Sequence, residues 1–221
     1  MFFSVALIHT SAKVVPLLTE VGHEVIADVE LIHMVDEGMQ RMIEEAGRMT
    51  EPVTRRVCAY AMNAQEAGAE AVMLASPSIV QAIDTVRASV RIPVVRIDEA
   101  MVDAAVQFGS SVGVLAEQQM TLEPILAFLR ERADAHRQDI ATESSLCEGA
   151  RRALEAGDMD AYDSCVISGI DGLSNNEMVV LADVMMHRVA RRASERLHVP
   201  VLASPRHGFE DMAKKLDYFR R

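Results

Sequence analysis

Cysteine is scarce in this chain, and the common metal and nucleotide signatures are missing. The 221 residues include three cysteines, Cys58, Cys147 and Cys165, which are widely spaced and form no Cys-x-x-Cys pair. This spacing indicates neither a disulfide framework nor a zinc site. The sequence also lacks a Gly-x-Gly-x-x-Gly loop, a Walker-type loop and a close cluster of His, Asp and Glu. We therefore expect no cofactor and no metal.

Positive charge is scarce as well. The chain has 22 Lys and Arg against 33 Asp and Glu, which gives a formal charge of −11 and a pI near 5.1. An acidic protein gains neither counterion release from nucleic acid nor attraction to an anionic membrane surface, so neither partner is expected.

The apolar start MFFSVALIH has no basic stretch and is too short to span a membrane. We expect a cytoplasmic protein.

Hydrophobic residues make up 50% of the chain, enough for a sizeable core in one or two domains. Short apolar runs, such as AVMLASPSIV from Ala71, are typical of buried parallel strands that lead into helices. The segment AKVVPLLTEVG predicts a helix that ends near Gly22, and HEVIADVEL predicts the next strand. Strands alternate with helices along the chain, which predicts an α/β fold with parallel sheets.

One pattern occurs twice in the sequence. Ser76 and Asp183 end two similar apolar runs, AVMLAS and MVVLAD, and are 183 − 76 = 107 residues apart. The segments SVALIH and SVGVLA, which start at Ser4 and Ser111, have the same offset of 107 residues. A repeated unit of this size predicts two copies of one structure.

The repeat predicts two pseudo-symmetric lobes, each built on a doubly wound parallel sheet. We expect the first lobe to contain residues 1–97 plus 206–221 and the second to contain residues 98–205. In such sheets ligands bind beyond the carboxyl ends of the strands. We therefore expect an inter-lobe cleft, with Ser76 and Asp183 facing one another and contacting one small ligand.

Four segments carry a resemblance to a known family: IHTSAKVVPLLTE, GAEAVMLASPSIV, IPVVRIDEAMVDAAVQFGSSVGVLA and VPVLASPRHG. They resemble the aspartate/glutamate/hydantoin racemase family, and the likeness extends over almost the whole chain. The resemblance implies two α/β lobes with a cleft between them and no cofactor. It also implies two cysteines, one per lobe, that move a proton on opposite faces of a carbon next to a carboxylate. Their positions correspond to Ser76 and Asp183, so the resemblance implies the scaffold without the two-thiol mechanism.

Asp183 is the candidate acid/base group. A carboxylate at neutral pH can abstract or deliver a proton, particularly where burial raises its pKa, whereas the Ser76 hydroxyl is a poor base without an activating neighbour. One competent base favours a decarboxylation, an elimination or a one-base isomerisation over a two-base racemisation. The alternative is that Asp183 only caps the following helix, because Asp is a preferred N-cap residue.

Ser76 and Ser78 lie at the matching junction in the first lobe. Ser76 as N-cap, with Pro77 at the first helical position, predicts a helix start. A helix start presents backbone N–H groups that can stabilise a substrate carboxylate. We assign anion binding to Ser78 and a supporting role in catalysis to Ser76, with simple capping as the alternative.

Thr10, Ser11 and His187 are further candidates for substrate binding. Thr10 and Ser11 follow the first strand, where they can hydrogen-bond a carboxylate or cap the next helix. His187 lies four residues after Asp183, on the same face of the predicted helix. It can tune that carboxylate or shuttle a proton, or it can be a partly exposed histidine without a role.

Glu99 and Arg206 complete the candidate set, each after the last strand of a lobe. Arg206 can bind a carboxylate through two parallel hydrogen bonds. The alternative is a salt bridge between Arg206 and Glu99 or Asp98.

Two function classes follow from these residues. The first is a cofactor-independent enzyme of the racemase superfamily, an isomerase or a lyase such as a decarboxylase, that transfers a proton next to the carboxylate of a small acid. The second is a non-catalytic relative that binds a small carboxylate or acts in regulation. The expected partner is a small carboxylate, and the sequence leaves open whether the chain forms a homo-oligomer.

Overall fold

The chain folds into two compact units in a computed structural model that describes residues 3–219, with side chains to residue 216. The first unit extends to Glu99 and resumes at Pro205, and the second is Ala100–Ser204. No helix in residues 3–219 is long and apolar enough to cross a membrane.

The first unit contains a four-stranded sheet and its flanking helices. Its elements are β1 (Phe3–His9), α1 (Val15–Val25), β2 (Val29–Val35), α2 (Glu37–Ala46), α3 (Glu51–Glu66), β3 (Ala71–Leu74), α4 (Ile83–Ser89) and β4 (Val94–Arg96). The strand order is β2-β1-β3-β4, with every pair parallel. β3 is buried along its whole length, as expected for a parallel strand covered on both faces.

The second unit repeats this arrangement. Its elements are α5 (Glu99–Phe108), β5 (Ser111–Ala116), α6 (Gln119–His136), β6 (Ala141–Leu146), α7 (Glu148–Ala156), α8 (Met159–Gly172), β7 (Met178–Leu181), α9 (His187–Leu197) and β8 (Val201–Ala203). The strand order is β6-β5-β7-β8, again all parallel. A last helix, α10 (Ser204–Phe219), starts at the boundary and returns the chain to the first unit.

The strand register repeats with the offset found in the sequence. Val5 pairs with Ala71 between β1 and β3, and Val112 pairs with Met178 between β5 and β7, so that 112 − 5 = 107 and 178 − 71 = 107. Because one offset fits both strands of each pair, the two units share the same central sheet geometry. The predicted α/β fold with two pseudo-symmetric lobes is confirmed.

The repeat changes its spacing between the first two strands of each unit. Ser4 pairs with Glu30 in the first sheet and Ser111 pairs with Ala141 in the second, so the offset grows from 111 − 4 = 107 to 141 − 30 = 111. The four extra residues lie in the connecting helix. The helical stretch is 12–25 in the first unit, including a 3-10 turn, and 119–136 in the second.

The sheet of the second unit has helices on both faces. Val179 and Leu181 of β7 pack into a core cluster with α7, α8 and α9, whereas Met178 and Val180 pack into another cluster with α5 and α6. Successive side chains of a strand point to opposite faces, so this alternation places one helical layer on each side. The arrangement is that of a doubly wound sheet.

The predicted strand in HEVIADVEL begins too early. α1 continues through Gly22 to Val25, and β2 starts only at Val29, after a left-handed turn at Asp28 with φ of 60°. Gly22 does not end the helix. A Cβ there would lie 2.8 Å from Leu31 Cδ1 and 2.9 Å from Phe209 Cζ, so glycine is needed for close packing of α1 against β2 and α10.

Candidate active site

Polar groups of the first unit meet at the carboxyl ends of β1 and β3, which are neighbours in the sheet. Thr10 follows β1, and its backbone N–H donates a hydrogen bond to Ser76 Oγ after β3, at 3.0 Å. The direction of chain winding reverses between these two strands, which is where ligands bind in open α/β sheets. Both side chains are buried. The structure therefore brings together two of the predicted site residues, Thr10 and Ser76.

Ser78 belongs to a chain of hydroxyl groups at the same place. Its Oγ donates to Gln40 Oε1 at 3.2 Å and lies 3.3 Å from Thr10 Oγ1. Because a hydroxyl has one proton, Thr10 is the donor to Ser78. Ser76 Oγ accepts from a backbone N–H, so its own proton is available for another acceptor.

The predicted helix start at Ser76 and Pro77 is wrong. Ser76 opens a turn in which Ile79 N–H donates to the Ser76 carbonyl at 3.1 Å, and a 3-10 turn precedes α4, which begins only at Ile83. The Ser76 side chain is occupied by Thr10 across the sheet instead of by the local backbone. The argument that a helix N-terminus at this junction holds the substrate carboxylate therefore fails.

Asp183 occupies the matching position in the second unit, after β7. Its Oδ2 accepts the backbone N–H of Glu117 at 2.7 Å and the Thr121 hydroxyl at 3.2 Å. Glu117 follows β5 and is the repeat partner of Thr10, since 10 + 107 = 117. The hydrogen bond between strand ends thus recurs in both units, with a carboxylate in place of the Ser76 hydroxyl.

Asp183 makes no side-chain capping bond. It stands at the N-cap position of the 3-10 turn Val184–Met186, but none of the backbone N–H groups of that turn bonds its carboxylate within the described chain. The helix-cap alternative considered from the sequence is therefore not supported. The carboxylate instead links the ends of β5 and β7.

The surroundings of Asp183 favour its protonated form. Burial and then the negative charge of Glu117 raise its pKa from 3.8 to about 7, against the opposing effect of the hydrogen bonds from Glu117 N–H and Thr121. The Arg151 charge also opposes the rise. A carboxyl group with such a pKa exchanges a proton readily at neutral pH.

Glu117 is the main site residue that the sequence reasoning missed. It is buried, and its Oε1 accepts the Tyr162 hydroxyl at 2.5 Å. Burial first, and then the Glu117 charge, raise the pKa of Tyr162, which therefore stays a hydrogen-bond donor. The repeat offset from Thr10 pointed to Glu117 in the sequence, whereas the distant Tyr162 gave no signal.

The thiol of Cys147 lies near the carboxyl groups of Glu117 and Asp183 but is not suited to proton transfer at neutral pH. Cys147 follows β6 and is buried. Burial above all, with smaller contributions from Cys165, Glu117 and Asp183, raises the pKa of Cys147 to about 11. Since the nucleophilic and basic form of cysteine is the thiolate, Cys147 is a poor proton acceptor at neutral pH.

His187 is placed differently from the sequence argument, whereas Ser11 caps the turn that follows it, which was one of its two predicted alternatives. Residues 184–186 form a 3-10 turn and α9 begins at His187, so Asp183 and His187 do not share one face of a helix. The Ser11 side chain accepts the Lys13 backbone N–H at 3.3 Å and caps the 3-10 turn before α1. Their roles in binding stay predictions.

The salt bridge of Arg206 with Glu99 or Asp98, one of the two alternatives from the sequence, does not form among the residues that the structure describes. Arg206 Nη2 lies 2.7 Å from Glu24 Oε2 at an exposed position. Glu99 is instead 3.0 Å from Arg87, and the buried Asp98 makes two hydrogen bonds, of 2.7 and 2.9 Å, with Arg96. Both carboxylates pair with arginines close to them in the sequence, Glu99 with Arg87 and Asp98 with Arg96.

Comparisons with known proteins agree with this architecture. The model of the Asp/Glu/Hydantoin racemase family matches residues 8–212. No curated protein matches the sequence. Allantoin racemase from Klebsiella pneumoniae is 15% identical, with 99% of this chain and 89% of that chain covered and a TM-score of 0.70.

Two further solved structures show the same fold. Aspartate racemase from Picrophilus torridus is 11% identical, with 97% of this chain and 94% of that chain covered and a TM-score of 0.77. Arylmalonate decarboxylase is 16% identical, with coverage of 96% and 92% and a TM-score of 0.63. At these identities the likeness concerns the fold alone.

Proposed function

Because this chain belongs to the Asp/Glu/Hydantoin racemase family, we propose that it is an enzyme of the racemase superfamily that transfers a proton at the carbon beside the carboxylate of a small acid. Asp183 is the acid/base group of this reaction. No cofactor takes part in the proposed step. The predicted cytoplasmic location, and the absence of nucleic-acid and membrane partners, stay predictions.

The observation that carries this proposal is the tuned carboxyl group of Asp183. Its pKa of about 7 means that protonated and ionised forms coexist at neutral pH. General acid–base catalysis is most efficient when the pKa of the group lies near the working pH. Burial beside a like charge, as at Asp183, is an arrangement that tunes catalytic acids and bases in active sites.

Glu117 and Tyr162 support this state of Asp183. The Glu117 charge is the second cause of the raised pKa of Asp183. The Tyr162 hydroxyl fixes the position of the Glu117 carboxylate by donating to it at 2.5 Å. The backbone N–H of Glu117 fixes the position of Asp183 Oδ2 at 2.7 Å. One residue thus orients the acid/base group and raises its proton affinity.

The first unit contributes hydrogen-bond donors to the proposed reaction. Ser76 holds a hydroxyl whose proton is not used in its contact with Thr10 N–H, and a substrate carboxylate is a suitable acceptor for it. The hydroxyl groups of Thr10 and Ser78 are hydrogen-bonded to each other at the same strand ends. In this proposal Ser76 positions the substrate and Asp183 alone moves the proton.

Two reactions are compatible with one acid/base group. In a decarboxylation, the carbon–carbon bond to a carboxylate breaks, CO2 leaves, and the carbanion takes the proton of Asp183, which is then replaced from water. In an isomerisation, ionised Asp183 removes a proton from the carbon and later returns it. The structural relatives include enzymes named for both kinds of reaction, a decarboxylase and two racemases.

Isotope exchange with a pH profile tests the proposal and separates the two reactions. The protein is incubated in D2O with hydroxy, amino and dicarboxylic acids, and deuterium incorporation and CO2 release are measured from pH 5 to 9. An acid role predicts CO2 release that falls as pH rises through about 7. A base role requires ionised Asp183, so the rate of deuterium incorporation should increase as pH rises through the same range. Absence of both activities with every acid would contradict the proposal.

A non-catalytic function is the second candidate. It is favoured by the side chains at the end of β1 and β3, where the cluster of Thr10, Ser76 and Ser78 contains hydroxyl groups and no acid/base group. Under this alternative the chain binds a small carboxylate without turning it over. Calorimetric binding of an acid that shows neither exchange nor CO2 release would identify this function.

A further inference from the structure

Two histidines lie in contact beside the end of β1. His9 is the last residue of β1 and His33 lies on the adjacent strand β2. His9 Nε2 is 2.8 Å from His33 Nδ1, and the rings are stacked with centroids 5.0 Å apart. The other nitrogen of His33, Nε2, is 3.0 Å from Thr19 Oγ1 on α1.

The hydrogen bonds of Thr19 determine where the protons of both rings lie. The single hydroxyl proton of Thr19 is donated to the Val15 carbonyl, 2.8 Å away in the preceding turn of α1. Thr19 Oγ1 must therefore accept a proton from His33 Nε2. His33 Nδ1 is then the acceptor in the histidine pair, and His9 donates from Nε2.

With the protons placed in this way, His9 Nδ1 is a hydrogen-bond acceptor that has no donor among the described residues. The atom is buried, and no residue in the described part of the chain makes a hydrogen bond to it. A buried polar atom without a partner costs free energy and calls for an explanation. His9 is the last residue of β1, at the edge of the sheet where the backbone N–H of Thr10 donates to Ser76 Oγ.

Both rings are neutral, as the assignment requires. Burial, and secondarily His33, lower the pKa of His9 to about 3, and burial followed by the charge of His23 lowers the pKa of His33. Neutral imidazole has one donor and one acceptor nitrogen. The order of donors from His9 to Thr19 is therefore stable at neutral pH.

We propose that His9 Nδ1 accepts a hydrogen bond from a hydroxyl group of the substrate, and that Thr19 and His33 hold it in this acceptor state. The substrate class is then a small acid that carries a hydroxyl group near its carboxylate. A neutral hydroxyl suits this buried atom better than an ammonium group, because burial of a charge costs more than burial of a neutral donor. This inference rests on the proposed function, which supplies the carboxylate.

Nitrogen NMR tests the proton positions without any substrate. In the ¹⁵N-labelled full chain, long-range proton–nitrogen correlations distinguish protonated from unprotonated imidazole nitrogens, and we expect His9 and His33 both to carry the proton on Nε2. Thr19→Val removes the final acceptor and should allow the other tautomers. Thr19→Ser keeps the hydroxyl and should preserve the wild-type pattern. A proton on His9 Nδ1 in the wild type would overturn the inference.

Binding of matched acids tests the specificity. The pairs malate and succinate, lactate and propionate, and mandelate and phenylacetate each differ by one hydroxyl group, and aspartate tests an ammonium group in the place of the malate hydroxyl. For at least one pair we expect the hydroxy acid to bind at least about tenfold more tightly, the size of one well-made buried hydrogen bond. The preference should fall to about twofold or less in Thr19→Val and persist in Thr19→Ser.

The outcomes separate this inference from the proposed function. Binding with equal affinity within every pair, tighter binding of aspartate than of malate, or an undiminished preference in Thr19→Val overturns the inference and leaves the proton-transfer proposal standing. A panel in which no acid binds or exchanges overturns both.

Discussion

Asp183 is the residue at which the proposed chemistry can be tested most directly. Asp183→Asn keeps the volume of the side chain and an oxygen that can accept the Glu117 N–H, but it removes the ionisable group. We expect the fold to survive and turnover of the substrate found by isotope exchange to fall by about 10² to 10⁴-fold, the usual contribution of a general acid or base. Steady-state rates and circular dichroism measure the two effects.

Ser76→Ala is the control for that substitution. Ser76 is proposed to position a ligand, so its loss should raise KM more than it lowers kcat. If Asp183→Asn stays folded and keeps full turnover, the assignment of Asp183 is wrong.

The raised pKa of Asp183 also predicts how stability depends on pH. The carboxyl group titrates near 3.8 in the unfolded chain and near 7 in the folded one, so between these values the folded state binds more protons. The contribution of Asp183 to the free energy of unfolding is therefore present at low pH and is lost as pH rises towards and through about 7. Urea unfolding at pH 5 and pH 8 should show wild type losing stability relative to Asp183→Asn. The free energy of unfolding of Ser76→Ala should change with pH as that of the wild type does. A difference in stability between the wild type and Asp183→Asn that is the same at pH 5 and pH 8 would count against the shifted pKa.

Tyr162 provides a test of the buried Glu117 carboxylate. Tyr162→Phe removes the hydroxyl that donates at 2.5 Å, and a buried acceptor that loses its donor costs about 1–3 kcal/mol of stability. Tyr60→Phe is a matched control, because Tyr60 also donates to a carboxylate, that of Asp36, which keeps its bonds from Arg56. Chemical denaturation should show a smaller loss for Tyr60→Phe. Equal losses would mean that Glu117 does not depend on Tyr162.

At the scale of the elements, helix packing depends on one small residue in α1. Gly22→Ala would place a methyl group within 3 Å of Leu31 and Phe209, and overpacking of this kind typically costs about 1–3 kcal/mol. Gly172→Ala, at the end of α8, meets nothing within 4 Å and should be neutral or stabilise by up to about 1 kcal/mol. Thermal unfolding of the two variants measures the contrast, and a neutral Gly22→Ala would show that α1 can shift.

The strands and most helices followed from the sequence because their signals are local. Runs such as AVML and MVVL are buried in β3 and β7 as expected. The helix end near Gly22 was misjudged, since a glycine required for tertiary packing looks the same in sequence as one that ends a helix. The start of α4 was misjudged for a related reason, because Ser76 bonds Thr10 on another strand.

The candidate site was predictable only where the repeat pointed to it. Ser76, Asp183 and Thr10 lie at strand ends, and alignment of the two copies found them. Glu117 was recognised only in the structure, because its hydrogen bond with Tyr162 joins residues 45 positions apart. The partner of Arg206 proved to be Glu24, 182 positions away, which no local pattern could indicate.

At the scale of the whole molecule, the prediction that Ser76 and Asp183 contact the same small ligand stays open to test. A double-mutant cycle with Ser76→Ala and Asp183→Asn, read out as the affinity for one acid, measures the coupling between the two residues. Both single variants should weaken binding of that acid, and the double variant should differ from the sum by at least about 0.5 kcal/mol. Additive effects, or an effect of only one substitution, would contradict the shared ligand.

The four additional residues in α6 bear on how such a duplicated protein can diverge. Four residues add about 6 Å of helix but rotate it by only about 40° beyond a complete turn, since an α-helix has about 3.6 residues per turn. The buried side of the helix therefore still meets its sheet, and the strands before and after it keep their pairing. An insertion of two residues would turn the same side by about 200° and expose it. Evolution after an ancestral duplication could thus lengthen this connection in whole turns without disturbing the strand ends where the proposed chemistry takes place.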